Sequence, residues 1–339
     1  MANYTPPRNV QIMERDLASL VSLLPQADAS YTEHAPVWGW DLSLVRKLKA
    51  ATVCSPSALP TTAQLADIRR LSSRLTAVEM LPAVRARLPE GTTVGESSFV
   101  TDIAEVKKQR SIFKTPYSGS GRGLRVVEAG NFASEMPKLE SMFNAQGGIV
   151  VEPYYDKVAD FALEYLVTPS EVQFLGLSVF ETNANNAYLG NRIALQSVLW
   201  QRMSQLVPQF DFEQLIEAVC EELRGRFVGH YLGPPGVDMM VVREEGELKV
   251  HPCVEVNVRR TMGELSLHML PLMAEGTEGF FRIIYDKDTA SLRRAVDAMP
   301  AAVYDGCGKL TGGTKILTPL NADTHYVALI EVARNKASV

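Results

Sequence analysis

The sequence predicts an α+β fold of two domains, and three observations support that prediction. The chain has 339 residues, 46% of them hydrophobic and 22% charged, a length and composition that fill about two globular domains. Residues 212–227 repeat apolar side chains at helical spacing. Residues 252–258 instead alternate between apolar and polar side chains, and residues 237–243 before them form a second strand pattern. Helical and strand patterns in one chain therefore indicate a mixed fold.

Charge and cysteine usage exclude several classes of protein. The net charge of −5 and the absence of a Lys/Arg-rich run offer no basic surface for nucleic acid. The cysteines lie far apart without a C-x-x-C pair, which is typical of reduced thiols. They are Cys54, Cys220, Cys253 and Cys307. The N-terminus lacks a signal-peptide pattern, and no apolar run reaches the roughly 18 residues of a membrane span. We therefore expect a soluble cytoplasmic protein without nucleic-acid or membrane partners.

Residues 1–105 have the pattern of a first α/β unit. One helix is predicted after the segment 37–41, where apolar residues recur at helical spacing. They are Leu42, Leu44, Val45 and Leu48. A second helix is predicted after Pro60-Thr-Thr, which has the character of an N-terminal cap. Its apolar face consists of Leu65, Ile68, Leu71 and Leu75. We expect this segment to form a separate α/β domain.

A glycine-rich loop follows a strand that carries one lysine. Lys114 lies on the strand, and the loop Tyr117-Ser-Gly-Ser-Gly-Arg-Gly123 leads into a second strand at residues 124–127. Glycines let a backbone approach a ligand closely, and the N–H groups and serine hydroxyls of such a loop can bind a polyphosphate. The segment does not have the G-x-x-x-x-G-K-[ST] pattern of a P-loop. A flexible hairpin turn is the alternative, and the charges of Lys114 and Arg122 favour phosphate binding.

Two further strands are predicted between residues 147 and 167. The first is apolar and ends in a proline-stiffened segment that carries the lone acid Glu152. In the second, residues 160–167, apolar and polar side chains alternate, which places Asp160 and Glu164 on one face. A surface strand of a hairpin explains this second pattern without any function.

The helix predicted at residues 212–227 leads into a strand hairpin. The apolar stripe of this helix is typical of a core helix rather than of a cofactor-binding surface. Asp238 lies on the first strand of the hairpin, and a turn around residues 244–247 reverses the chain. We therefore expect Asp238 to lie close to Glu255 and Asn257 on the second strand.

The second strand of the hairpin carries three chemically different side chains on one face. Glu255, Asn257 and Arg259 alternate with valines. A magnesium–phosphate site needs such side chains, because carboxylate and amide oxygens bind the cation and a guanidinium binds phosphate. The alternative is a half-exposed antiparallel strand whose polar face contacts only solvent. Asp238 and the lysine-bearing loop favour a Mg²⁺–nucleotide site.

His251 and Cys253 share a strand face with Glu255, which raises the alternative of a zinc site. Zinc requires about four ligands, mostly nitrogen or sulfur, and the sequence has no other paired Cys/His spacing. We therefore expect no zinc, and we interpret Cys253 as a small buried residue rather than a nucleophile.

These segments, in this order, resemble the ATP-grasp superfamily. The resemblance rests on the lysine-bearing strand with its loop, on Glu152-Pro-Tyr-Tyr155, and on the hairpin that contains Glu255-Val-Asn-Val-Arg259. It implies an α+β ATP-grasp fold, in which two α+β subdomains clasp ATP, preceded by an α/β Rossmann-like pre-ATP-grasp domain. The implied domains are 1–105 and 106–339. The second would divide into a nucleotide-clasping subdomain, 106–180, and a metal-binding and C-terminal subdomain, 181–339.

The resemblance also implies roles for individual residues. The magnesium ligands would be Asp238, Glu255 and Asn257. The catalytic charges facing the transferred phosphate would be Lys114 and Arg259. The nucleotide would be bound by Arg74, Lys114, Ser118, Ser120, Gly121, Arg122, Glu152, Tyr154, Tyr155 and Asp160. Within this set, Glu152, Tyr154 and Tyr155 correspond to the hinge that receives the adenine.

Three of these assignments depart from the family pattern or leave alternatives. Arg74 stands where the family often has a lysine, and its planar fork presents a different geometry to phosphate than an ammonium does. Asp160 matches the ribose-binding acid, and Asp156 is the alternative. Arg260, on the opposite strand face from Arg259, either holds the carboxylate of an acceptor or forms a salt bridge.

The activity that the resemblance implies is ATP-dependent carboxylate–amine ligation. ATP and Mg²⁺, with Mn²⁺ as an alternative metal, would activate a small-molecule carboxylate as an acyl phosphate for attack by an amine or similar nucleophile. The protein's contribution would be positioning and charge neutralisation. The alternatives are an ATP-binding protein without ligase turnover, acting as a sensor or subunit, and an ATP-grasp phosphotransferase. A homodimer is left open.

Overall fold

The structure is a computed structural model that describes residues 7–25, 36–51, 55, 58–118, 123–183 and 186–332. Its helices are α1 (Arg8–Leu17), α2 (Leu42–Ala51), α3 (Thr62–Leu71), α4 (Leu75–Arg85), α5 (Phe132–Gln146), α6 (Gln196–Leu206), α7 (Phe212–Phe227), α8 (Met262–Leu267) and α9 (Thr289–Asp297). Its strands are β1 (Ser98–Val100), β2 (Ser111–Lys114), β3 (Leu124–Val127), β4 (Ile149–Pro153), β5 (Asp156–Val167), β6 (Val172–Thr182), β7 (Tyr188–Ile193), β8 (Gly236–Glu244), β9 (Glu247–Asn257), β10 (Gly279–Tyr285), β11 (Val303–Tyr304), β12 (Leu310–Ile316) and β13 (Tyr326–Val332).

Within these ranges the strands form two antiparallel sheets, which confirms the predicted α+β class. The smaller sheet has the order β1-β4-β2-β3, with α5 packed against it. The larger sheet has the order β11-β12-β13-β10-β7-β6-β5-β8-β9. The chain crosses from one sheet to the other at Tyr154 and Tyr155. This crossing precedes the boundary expected at residue 180, because β5 and β6 pair within the larger sheet.

The segment before β1 differs from the domain that the sequence predicted. Among its described residues the elements are helical, and the first strand begins at Ser98. Buried side chains of α4, including Met80 and Val84, belong to the same core cluster as Val241 and Val250 of the larger sheet. For the described residues this corrects the expectation of an α/β Rossmann-like domain at residues 1–105, because α3 and α4 bury their apolar side chains in the core cluster of the larger sheet.

The second predicted helix is interrupted near its expected end. α3 begins with a capping box, as the Pro60-Thr-Thr pattern predicted. The expected apolar face ran on to Leu75, but α3 ends before that residue and α4 begins there. The backbone N–H of Arg74 donates to the carbonyl of Pro116 over 3.0 Å. The interruption therefore places Arg74 beside the glycine-rich loop.

The β8–β9 hairpin confirms the strand pairing that the sequence predicted. Its turn residues Glu245 and Gly246 have φ angles of +52° and +86°, the backbone conformation of a tight hairpin turn that glycine favours. The register places Asp238 directly opposite Glu255. The turn sets the register as far as Met240 and His251, and a register shift between Asp238 and Met240 then brings Asp238 opposite Glu255.

The larger sheet has a core face and a polar face near β5. Phe161, Leu163 and Tyr165 are 0% exposed and belong to a core cluster that includes α6 and α7. α7 has the bounds that the apolar stripe predicted. Because side chains alternate along a strand, Asp160 and Glu164 lie on the opposite face. That face carries the candidate site.

The described part of the chain ends in two paired strands. β12 and β13 are antiparallel neighbours in the larger sheet. Between the hairpin and these strands, Pro271 lies in a 3₁₀ turn that follows α8. Among the residues that the structure describes, no helix has the length and apolar character needed to cross a membrane.

Candidate active site

The predicted metal ligands lie together where β8 and β9 pair. Asp238 and Glu255 are cross-strand partners, and Asn257 follows on the same strand. The amide nitrogen of Asn257 donates a hydrogen bond of 3.0 Å to Asp238 Oδ2. The hairpin therefore brings the three side chains to one face of the larger sheet, as its register requires.

The electrostatics of this trio suit a bound cation. Burial and the neighbouring Glu255 raise the pKa of Asp238 to about 7, against the opposing effects of the Asn257 hydrogen bond and of Arg259. No group of three His, Cys, Asp or Glu side chains in the described ranges is arranged to hold a metal, so the trio depends on the Asn257 oxygen as a third donor. Two carboxylates and an amide oxygen fit Mg²⁺, which completes its shell with water or phosphate oxygens.

Two arginines follow the trio in different surroundings. Arg259 is exposed, and its guanidinium donates to the carbonyl of Arg260 over 2.9 Å. Its positive charge lowers the pKa of Asp238. Arg260 is 1% exposed and forms a buried ion pair with Glu264. Of the two alternatives for Arg260, the structure therefore supports the salt bridge over a contact with an acceptor.

On the smaller sheet, the strand lysine and the hinge acid are direct partners. Lys114 Nζ lies 2.6 Å from Glu152 Oε2. β2 and β4 are adjacent, and the two side chains are 5% and 4% exposed. The hydroxyl of Ser97 donates to the other carboxylate oxygen over 3.2 Å. Lys114 and Glu152, which the resemblance assigned to nucleotide binding, therefore form one buried ion pair.

The predicted hinge residues lie at the crossing between the two sheets. The Arg110 guanidinium stacks over the Tyr154 ring at 4.0 Å. The hydroxyl of Tyr155 accepts a hydrogen bond from the Glu96 N–H over 3.0 Å, and burial raises its pKa to about 12. The Tyr155 ring contacts the His251 ring edge to face, with centroids 5.5 Å apart. Both tyrosines are therefore held by neighbouring elements, which leaves the backbone between them at the junction of the sheets.

The glycine-rich loop is described only at its two ends. The Thr115 N–H donates to the carbonyl of Gly123 over 3.0 Å, which closes the loop. Gly123 has a φ of +68°, and a Cβ there would clash with the Thr115 hydroxyl, so glycine is required. Ser118 lies inside the loop and accepts a hydrogen bond from Arg74. The other predicted loop contacts lie outside the described residues: Ser120, Gly121 and Arg122.

Arg74 links the loop to the metal trio. One guanidinium nitrogen donates to the Thr115 carbonyl and to the Ser118 hydroxyl, each over 2.7 Å. The other nitrogen lies 3.3 Å from Glu255 Oε1. The partners of Arg74 in the structure are protein groups, and its contact with the nucleotide stays a prediction.

Asp160 faces the same side of the sheet as the trio. It accepts a hydrogen bond from Thr182 and pairs with Lys157, each over 2.7 Å. The pairing of β5 with β8 directs it towards the face of Asp238, and its charge raises the pKa of Asp238. Asp156 lies at the exposed start of β5. Lys157 and Thr182 are additional polar groups that the sequence pattern did not single out.

Glu164 is a buried carboxyl near the trio that was not among the predicted site residues. It is 1% exposed, and Thr261 donates a hydrogen bond of 2.8 Å to one of its oxygens. Burial raises its pKa to about 8, which favours the protonated carboxyl at neutral pH. A Cβ at Gly263 would clash with the other oxygen, so glycine lets the turn after β9 approach it. The alternation that paired Glu164 with Asp160 was the signal that could have identified it.

No protein-family model and no curated protein matches this sequence, but solved structures do. Pyruvate carboxylase from Rhizobium etli matches with a TM-score of 0.51 and 13% identity, covering 87% of this chain and 28% of that one. N5-carboxyaminoimidazole synthase from Aspergillus clavatus, in complex with ADP and 5-aminoimidazole ribonucleotide, has a TM-score of 0.49 and 12% identity, with coverage of 88% and 76%. N5-carboxyaminoimidazole synthetase from Staphylococcus aureus, complexed with ADP, has a TM-score of 0.48 and 15% identity, with coverage of 78% and 68%.

These similarities concern the fold. The chain spans 28% of the length of the pyruvate carboxylase chain, and the two are 13% identical. The match nevertheless extends over both sheets, because it covers 87% of this chain. The protein therefore has the ATP-grasp fold, which the sequence resemblance implied.

Proposed function

We propose that this protein is an ATP-dependent ligase that activates a carboxylate as an acyl phosphate, which an amine or a similar nucleophile then attacks. The observation that carries the proposal is the meeting of Asp238, Glu255 and Asn257 on one sheet face beside Arg259. This arrangement supplies cation ligands and a phosphate-facing charge. Such chemistry needs positioning and charge neutralisation rather than a side-chain nucleophile.

The site residues fall into three groups, which would bind the metal, the phosphates and the adenine base. Asp238, Glu255 and Asn257 would hold Mg²⁺ or Mn²⁺, which neutralises phosphate charge when it is bound. Lys114 and Arg259 would contact the phosphates from the two sheets. The adenine base would lie at the crossing between the sheets, where the hinge residues would contact it. The hinge residues are Glu152, Tyr154 and Tyr155.

We place the nucleotide between the two sheets. In this proposal the smaller sheet and its loop form the nucleotide-clasping part, and the larger sheet with its polar face forms the metal-binding part. Arg74 supports this placement, because it contacts Ser118 of the loop and Glu255 of the larger sheet at the same time. Asp160 or Asp156 would contact the ribose.

Thermal unfolding with Mg²⁺-ATP tests the binding step. A ligand at about 100 times its dissociation constant adds roughly 2.7 kcal/mol to the free energy of unfolding. We expect a gain of this size for the wild type only when Mg²⁺ accompanies the nucleotide. Glu255→Gln and Asn257→Ala should lose most of the gain while they stay folded, because each removes one metal ligand.

A matched control separates loss of the site from general damage to the sheet. Glu331 forms a partly exposed 2.7 Å ion pair with Arg282 on the adjacent strands β13 and β10, which are separated from β8 and β9 by three strands of the same sheet. Glu331→Gln should therefore keep the full nucleotide gain. If Glu255→Gln also keeps it, the metal assignment is wrong.

Product analysis tests the reaction. Carboxylates and amines are screened for ADP release, and the products of active pairs are identified. ADP with free phosphate and an amide supports the ligase. A stable phosphorylated product would indicate the phosphotransferase instead. Nucleotide binding without turnover on any pair would favour the ATP-binding protein that lacks ligase activity.

A further inference from the structure

Arg74 is buried where three elements meet. It lies just before α4 and is 6% exposed. It donates to Thr115 and Ser118 at the start of the loop, and it pairs with Glu255 on β9. One side chain therefore connects the loop of the smaller sheet to a predicted metal ligand of the larger sheet.

The ion pair between Arg74 and Glu255 competes with a metal at the trio. A divalent cation bound by Glu255 would lie near the guanidinium, and two positive charges at such short range repel each other strongly in a partly buried site. The same carboxylate would also have to serve both cations. Free metal is therefore disfavoured as long as the guanidinium keeps its present partners.

A polyphosphate removes this conflict. The guanidinium is a planar fork with five N–H donors that suits phosphate oxygens. The Nε atom of Arg74 is buried and has no hydrogen-bond partner among the residues that the structure describes. The guanidinium that contacts Ser118 of the loop thus has one donor left without a partner. Phosphate oxygens would accept from the guanidinium and free the Glu255 carboxylate for the metal.

We propose that Arg74 makes metal and nucleotide binding mutually dependent. While the guanidinium is paired with Glu255, it disfavours binding of the free cation. When a polyphosphate binds the guanidinium, the Glu255 carboxylate becomes available to bind the metal. This inference rests on the proposed function, and it names how that same site is regulated. The ligand that the site accepts is accordingly the metal–polyphosphate complex. In this scheme Arg74 binds the polyphosphate directly and acts on the metal through Glu255.

Titration with Mn²⁺, followed by the electron paramagnetic resonance of the free ion, tests the inference without turnover. We expect the wild type to bind Mn²⁺ at least about fivefold more tightly with ADP than without it, the lower end of common coupling factors. In Arg74→Gln, free Mn²⁺ should bind at least about fivefold more tightly than in the wild type. The gain from ADP should shrink in the same variant.

Three variants isolate the ion pair. Arg74→Lys keeps the positive charge, so its affinity for free Mn²⁺ should stay as low as that of the wild type. Ser118→Ala removes a loop contact but leaves the pair with Glu255, so its affinity for free Mn²⁺ should stay at the wild-type value. Glu255→Gln should abolish Mn²⁺ binding with and without ADP, which confirms that the signal reports this site.

The outcomes separate this inference from the proposed function. If the wild type binds Mn²⁺ with ADP but Arg74→Gln shows no increase for free Mn²⁺, the inference is overturned and the nucleotide site stands. If the wild type binds Mn²⁺ equally well with and without ADP, the inference is overturned even if Arg74→Gln does not fold. If the wild type binds neither ADP nor Mn²⁺, the proposed function itself fails.

Discussion

Lys114 and Glu152 form a buried ion pair, with Nζ and Oε2 2.6 Å apart. The pair lies on the central strands of the smaller sheet, and its other contact is the hydroxyl of Ser97. Each charge of a buried ion pair is stabilised by the other, because removal of one leaves the other unpaired in a low-dielectric environment. The pair therefore has a structural role that has to be separated from any role at the nucleotide.

Lys114→Met should destabilise the protein and the double variant should not. The single change leaves the Glu152 carboxylate buried without its ammonium, and we expect the free energy of unfolding to fall by about 3–5 kcal/mol. Lys114→Met combined with Glu152→Leu should recover most of that loss, because apolar side chains of similar volume often replace a buried pair at little cost. Urea unfolding measures both values.

The same double variant tests the nucleotide role. Once stability is restored, Mg²⁺-ATP should still fail to raise the unfolding temperature, because the phosphate-facing ammonium is gone. Recovery of both stability and the nucleotide gain would mean that the pair is structural only.

Asp238→Asn should stabilise the protein while it removes the metal site. At pH 8 the Asp238 and Glu255 carboxylates face each other across the hairpin, and we expect the free energy of unfolding to rise by up to about 1 kcal/mol when one charge is removed. The stabilisation by Mg²⁺-ATP should disappear. Urea unfolding with and without the ligand measures both effects, and a retained ligand gain would exclude Asp238 as a metal ligand.

Glu164→Gln should change how stability depends on pH. Between its ordinary pKa of 4.5 and its raised value of about 8, Glu164 binds a proton in the folded state and none in the unfolded state. The wild type therefore loses stability as pH rises through this window, by at most about 1.4 kcal/mol per pH unit from this group. Glutamine cannot ionise, so the free energy of unfolding of the variant should rise relative to that of the wild type from pH 5 to pH 8.

Urea unfolding at pH 5, 6.5 and 8 checks this sign. Above pH 8 the folded carboxyl also ionises, so the difference between the two proteins should level off. A difference that stays constant over the whole range would show that Glu164 is ionised in the folded protein.

Two glycine-to-alanine changes should act in opposite directions. A Cβ at Gly263 would clash with Glu164 and with the Ser178 hydroxyl, so we expect Gly263→Ala to destabilise the protein by about 1–3 kcal/mol. A Cβ at Gly225 in α7 would meet nothing within 4 Å, and Gly225→Ala should stabilise by up to about 1 kcal/mol through helix propensity. Thermal unfolding of both variants measures these effects, and equal effects would contradict the different surroundings of Gly263 and Gly225.

The hairpin and α7 could be predicted from the sequence because their determinants are local. The two-residue turn at Glu245 and Gly246 sets the register of β8 against β9 as far as Met240 and His251, and strand alternation assigns the side chains to faces. The register shift beyond Met240, which brings Asp238 opposite Glu255, could not be predicted from these local patterns. The apolar stripe of α7 likewise gave correct helix bounds. The fold class followed from these elements together with the resemblance.

The N-terminal segment shows where local patterns stop. Its apolar spacing indicated helices, but spacing does not identify the surface on which a helix packs. α4 packs on the larger sheet, whereas a domain with its own sheet was expected. The interruption before Leu75 was missed because the apolar repeat continues across it, while the contact between Arg74 and Pro116 comes from a distant part of the chain.

By itself, the sequence determined that β8 and β9 pair as a hairpin and that Glu255 and Asn257 share a strand face with Asp238. Only the tertiary structure decided that Lys114 is paired with Glu152, that Arg74 reaches Glu255, and that Glu164 is buried. The physical reason is the range of the interactions. Periodicity and turn geometry act within one element or between adjacent elements, whereas burial and ion pairing depend on which remote segments come together when the core forms.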